Sequence, residues 1–80
     1  MLTSELVKAA RALIRWEQKD LAEASGVSLP TIKRLEAKPG SLNAHSSTIS
    51  AIQLALERQG INFIPENCGG PGLRLGSKRI

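Results

Sequence analysis

Aromatic residues are nearly missing from this chain: 80 residues include one Trp, one Phe and no Tyr. A platform for single-stranded nucleic acid stacks successive bases on several rings, so Trp16 and Phe63 make a poor one. Trp16 is read instead as cover for the seam between the first two helices. Cysteine is equally scarce. The single Cys68 forms no internal disulfide and supplies no metal site, which fits a reducing compartment. His45 is the only histidine and is read as a solvated loop residue. No apolar run approaches the roughly 18 residues of a membrane span. The N-terminus lacks the basic-then-apolar order of a signal peptide. A cytoplasmic protein with no membrane partner is therefore expected. The glycine-rich segment 69–72 lacks the Gly-Lys-Ser/Thr ending of a phosphate loop. With no nucleophile–base set, metal-ligand cluster or cofactor motif, the expectation is a non-enzyme without cofactor or metal.

Length and charge set the remaining bounds. Eighty residues make one small domain, whose core leaves only a little net stability unless dimerisation adds to it. No separate ligand-binding domain fits, so small-molecule control is not expected. Lys and Arg number 11 against 7 Asp and Glu, a net charge of +4. The sign favours a polyanionic partner, although the excess is modest.

The informative stretch is Gln18 to Glu36, QKDLAEASGVSLPTIKRLE. It reads as two short helices joined by a tight turn. Leu21 and Ala22 face inward on the first. Gly26 suits the turn because a residue just past a helix often needs positive φ. Val27 plugs the space beneath. Ser28 caps the second helix, and Pro30 is tolerated in a first turn, where its missing N–H has no intrahelical partner. Ile32 and Leu35 point inward; Thr31, Lys33 and Arg34 point outward. This is a helix-turn-helix pattern, whose second helix lies in the major groove of DNA. Ser28 and Thr31 then bond base edges or phosphates, and Leu29 and Pro30 touch thymine methyls. Arg34 can fork onto guanine, and Lys33 reads a base or holds a phosphate.

Upstream, Thr3 or Ser4 caps a helix running to about Arg15, with Glu5 in its first turn. Leu6, Ala10, Leu13 and Ile14 are taken as its apolar face. Lys8, Arg11 and Arg15 lie off that face, either as a solvated basic side or, for Arg11 and Arg15, as phosphate contacts. Downstream, 37–44 is a loop broken at Pro39-Gly40. Ser46 or Ser47 caps a further helix to about Gln59, with Ile49, Ile52 and Leu56 inward. Leu54 falls nearly opposite, left exposed or covered by a partner subunit. Gly60 ends the helix, Ile61–Ile64 reads as a short strand, and Leu73–Leu75 as a second.

The run Gln18-x-x-Leu21-Ala22-x-x-x-Gly26-Val27-Ser28-x-x-Thr31-Ile32-x-x-Leu35-Glu36 resembles the Cro/CI-type (Xre) family of bacterial and phage transcriptional regulators. The likeness extends from about Leu6 to Leu56. It implies an all-α, four-to-five-helix lambda-repressor-like helix-turn-helix domain with a short C-terminal β-strand extension. It implies base readers at Ser28, Leu29, Pro30, Thr31, Lys33 and Arg34. Gln18 would contact phosphate and brace the recognition helix. Lys38 and Asn43 would meet the DNA backbone from the loop, beside Arg11, Arg15 and Ser47. It also implies an ion pair between Glu36 and Arg11, in competition with the phosphate role of Arg11. Leu29-Pro30 stands where well-known phage members carry polar readers, so their operator sequences do not transfer.

The stretch INFIPENCGGPGLRL resembles an extension found on some short bacterial regulators of this type. The expected organisation is a DNA-binding domain over 1–60, a β-like extension over 61–75 and a basic tail over 76–80. An exposed strand edge invites pairing with a second copy. The expectation is a homodimer with Leu54, Ile61, Phe63 and Ile64 in its interface, bound to an inverted-repeat operator as an autorepressor or activator. The alternative is an antitoxin-like module whose residues 61–75 engage a partner protein.

Overall fold

The computed structural model describes residues 2–64 and 72–75. Four helices come first: α1 (Ser4–Leu13), α2 (Gln18–Ser25), α3 (Leu29–Ala37) and α4 (Ser46–Glu57). Two short strands follow, β1 (Ile61–Ile64) and β2 (Gly72–Leu75). The architecture is the lambda-repressor-like helix-turn-helix arrangement, all-α apart from the C-terminal hairpin. None of the described helices is long and apolar enough to cross a membrane.

Local chemistry explains most of the boundaries. The hydroxyl of Thr3 accepts the Leu6 N–H at 3.1 Å and so caps α1. The Asp20 carboxylate caps α2 by accepting the Glu17 N–H at 2.8 Å. For α4 the N-cap is His45 and not Ser46 or Ser47, which already lie in the helix. The His45 backbone is extended there, and its carbonyl accepts the Ile49 N–H at 3.0 Å. Gly60, at φ +94°, follows the end of α4 in the left-handed region that glycine enters freely.

The core draws on every helix and on β1. Val7 and Ala10 meet Leu21, Ile32, Leu35, Ile52, Ala55, Leu56 and Ile61, all buried. Trp16, half-buried, packs against this cluster as cover. Two features depart from expectation. In α1 the inward stripe includes Val7, and Leu13 is 47 % exposed. Adding Val7 to Leu6, Ala10 and Ile14 turns the buried face about the helix axis, and Leu13 falls off its edge. The second is Leu42, in the loop after α3, which is buried together with Leu2.

The hairpin is antiparallel, with Ile61 opposite Leu75, Asn62 opposite Arg74, Phe63 opposite Leu73 and Ile64 opposite Gly72. A lone hairpin is marginal in water. This one gains support by lying with β1 against α4 and β2 against α1. Ile61 is 1 % exposed and Phe63 half-buried, whereas Asn62 and Ile64 face outward. The expectation that Ile61 lines a dimer interface is thereby corrected: it is spent inside its own chain. The glycine-rich segment 69–71, Cys68 and the basic tail 76–80 lie outside the described residues.

Candidate nucleic-acid interface

The turn before α3 is set by three small groups. Gly26 closes α2 at φ +77°, its N–H bonded to the Ala22 carbonyl at 2.9 Å. A Cβ there would meet nothing within 4 Å, so conformation and not space favours glycine. The Val27 N–H is held by the Ser25 hydroxyl at 3.2 Å. Ser28 then caps α3: its Oγ accepts the Thr31 N–H at 3.4 Å and donates to the Thr31 hydroxyl at 2.8 Å. The two hydroxyls expected to read DNA therefore also hold each other and the start of the helix.

Past that turn, α3 shows two faces. Ile32, Leu35 and Glu36 are buried. Pro30, Lys33, Arg34 and Ala37 are exposed at i, i+3, i+4 and i+7, one continuous stripe that Lys38 extends. Leu29 and Thr31 are half-buried at its margin. Among the described residues no carboxylate pairs with Lys33, Arg34 or Lys38. The stripe therefore carries three uncompensated positive charges on one side of a single helix and the residue after it. Beside it lies a depression of about 210 Å³ lined by Arg34, Leu35, Lys38, Pro39, Ser41 and Asn43. The fold thus gathers Arg34, Lys38 and Asn43, which the sequence spreads over ten positions, around one concavity.

Behind α3 sits a polar network that fixes the helix in place. The Arg11 guanidinium forks onto Glu36, Nε to Oε2 at 2.8 Å and Nη2 to Oε1 at 2.6 Å. Its remaining nitrogen, Nη1, donates to the Trp16 carbonyl at 2.9 Å. The Gln18 amide donates to Glu36 Oε1 at 3.1 Å. One carboxylate, 4 % exposed, thereby ties α1 and the first turn of α2 to α3, and Arg11 ties in the α1–α2 connection. Bidentate charge-assisted bonds are the strong ones, and a buried charge needs them. The ion pair that the resemblance implies for Arg11 is present, and it competes with the phosphate role: three of the five guanidinium N–H groups already donate inside the protein.

Arg15 stays exposed, and its backbone is unusual. It is the only described non-glycine residue at positive φ, +59°. The reason is the end of α1. The Trp16 N–H reaches back to the Arg11 carbonyl at 2.9 Å and the Arg15 N–H to the Ala12 carbonyl at 3.2 Å, a closure that needs a left-handed residue between. Glycine usually fills such a place. Ser47 and Asn43 are exposed as well, Ser47 in the first turn of α4. Leu54 and Ile64 are 48 % and 40 % exposed.

One tertiary contact beside these residues escaped the sequence. The Gly40 N–H donates to both oxygens of the Glu5 carboxylate, at 3.1 and 3.3 Å, and the Gly40 carbonyl accepts the Ser4 N–H at 2.9 Å. The Gly40 bond, then the bond from Glu5's own backbone N–H, with lesser help from Lys8, holds the Glu5 carboxyl below the usual carboxylate range. Thr3 and Ser41 form an isolated bridge beside it. Glu5 and Gly40 are 35 positions apart in the chain, so no local pattern announces the contact.

No group of three or more His, Cys, Asp or Glu side chains that could hold a metal ion occurs among the described residues. No known protein-family model and no curated protein matches the chain.

Proposed function

We propose that this chain is a sequence-specific regulator of transcription of the Cro/CI (Xre) type, non-enzymatic, without cofactor, working in the bacterial cytoplasm on double-stranded DNA. The observation that carries the reading is the outer stripe of α3. Three unpaired cations and a proline-started helix end project from a helix whose opposite face is locked by Arg11, Glu36 and Gln18. A helix exposed on that side, preceded by a capped tight turn, suits insertion into the major groove. Arg34 is the reader for guanine; Lys33, Pro30 and Leu29 flank it. Lys38, Asn43, Arg15 and Ser47 hold phosphates on either side.

A homodimer would place two such helices about 34 Å apart on an inverted repeat. With Ile61 removed from consideration, its interface falls on Leu54, Phe63 and Ile64. The same exposed Leu54 and Ile64 favour one second reading, an antitoxin-like protein whose hairpin binds a different protein.

The test is selection of genomic DNA fragments by the purified protein at about physiological salt, run in parallel with Arg34→Ala. The wild type should enrich an inverted repeat, and Arg34→Ala should lose preference at one base pair of each half-site, a difference of roughly 1–3 kcal/mol. Unchanged preference would mean that α3 meets the groove in a different frame. Fragments with no shared motif would move the partner-protein reading to the front.

A further inference from the structure

We propose that Glu5 is a positioning residue for DNA binding, the clamp that sets the path of the loop 38–43 and so brings Lys38 and Asn43 up to Arg34. The inference rests on the DNA reading above, and it adds to it a residue that faces neither groove nor phosphate.

The geometry is that of a clip closed at several points. Gly40 is held through both of its backbone groups, its N–H by Glu5 and its carbonyl by the Ser4 N–H. On the far side the Leu42 N–H reaches the Leu2 carbonyl at 3.4 Å, with both leucine side chains buried. On the near side α3 ends at Ala37, and Lys38 leaves the helix with an extended backbone, φ −106° and ψ 128°. Only Lys38 and Pro39 separate the last helical residue from the clip. Proline fixes one φ of that link. Where Gly40 is held therefore decides where the Lys38 side chain starts, and Asn43 follows on the other side of the anchor. Gly40 itself lies at φ +96°, a conformation that a side chain would strain, although a Cβ there would touch nothing.

Packing does not require a carboxylate at position 5. Glu5 is exposed, and apart from Ser4 and its own helix its bonds go to the loop. A competing explanation is that an acidic residue in the first turn of α1 merely complements the helix dipole. The two explanations part company in the amide variant. Gln keeps a carbonyl oxygen that can accept the Gly40 N–H and loses the charge that the dipole would sense.

The experiment measures binding to a random-sequence duplex of about 30 base pairs, where backbone contacts dominate affinity. Wild type, Glu5→Ala, Glu5→Gln, Lys38→Ala and the Glu5→Ala/Lys38→Ala double variant are compared, with amide hydrogen exchange at Gly40 followed in parallel. Glu5→Ala should speed exchange at Gly40 and weaken binding roughly three- to tenfold, and the loss should shrink once Lys38 is gone, because the two act through one contact. Glu5→Gln should recover most of the affinity. An unaffected Glu5→Ala, an equal loss in the Lys38→Ala background, or a Glu5→Gln no better than Glu5→Ala would overturn the positioning role and leave the DNA reading standing. A wild type that binds no duplex would overturn both.

Discussion

Arg11 and Arg34 sit on opposite sides of α3 and are used in opposite ways. Arg11 is turned in. Its guanidinium spends all three nitrogens on Glu36 and the Trp16 carbonyl, and its side chain is 17 % exposed. Arg34 is turned out, with no carboxylate partner among the described residues and with Lys33 and Lys38 beside it. The inner face converts charge into rigidity; the outer face leaves charge unsatisfied. Net charge does not separate these two situations. An excess of four positive charges says little, whereas three of them on one unpaired helical stripe, backed by an immobilised helix, suit a polyanion that must be met in one register.

The largest effect should come from breaking the inner side. Glu36→Ala leaves the Arg11 guanidinium half-buried without its partner, and such losses cost roughly 3–5 kcal/mol. For a domain this small that is a large share of the total, so urea denaturation should show a midpoint shifted far down or no folded state. Replacing both partners, Arg11→Met with Glu36→Leu, should restore much of the loss, because no charge is then stranded. Arg34→Ala, by contrast, should move stability by no more than about 0.5 kcal/mol. Equal stability losses at the two arginines would erase the distinction between the faces.

The hairpin offers the same inward and outward test three residues apart. Ile61→Ala should cost roughly 2–4 kcal/mol by leaving a cavity in the core. Ile64→Asp should shift the protein towards monomer in sedimentation and lower the melting transition only by what dimerisation adds, leaving a monomer whose core is unchanged. A dimer untouched by Ile64→Asp would remove β1 from the interface and leave Leu54 as the place to look.

How far the sequence reveals these arrangements depends on how local their causes are. The turn and α3 were legible because Gly26, Ser28 and Pro30 each dictate backbone conformation within a residue or two. The four-helix core was legible in outline, but Val7 and Leu13 compete for one narrow α1 and periodicity alone picks the wrong one. The Arg11–Glu36 pair spans 25 positions; it was reached through resemblance, not through any pattern in the residues themselves. Ile61 belonged to a short apolar run that suits a strand edge and a core equally well. The Glu5–Gly40 clip and the burial of Leu42 against Leu2 had no local signal. A glutamate in a first turn and a leucine in a polar loop each have a simpler explanation, and only the closed chain brings them face to face.

Arg15 falls between the two situations, exposed like Arg34 yet constrained like Arg11, and it gives the smallest and most discriminating effect. Holding a non-glycine residue in the left-handed region costs roughly 1–2 kcal/mol. Arg15→Gly removes that strain but gives the unfolded chain more freedom, worth about 0.4–1 kcal/mol in the opposite direction. The strain term is the larger of the two, so stability should stay level or rise by up to about 1.6 kcal/mol. DNA affinity should nonetheless fall for all sequences alike, with the salt dependence reduced by about one ion, since one phosphate contact is lost. Binding titrations over a range of salt would show this directly. If affinity and salt slope stay as they were, Arg15 is only a helix terminator that happens not to be glycine, and the phosphate contacts lie with Lys38, Asn43 and Ser47. If they fall as expected, the strain at Arg15 has a function: a glycine would close α1 at lower cost, but only a side chain that reaches outward can hold the phosphate beside the groove.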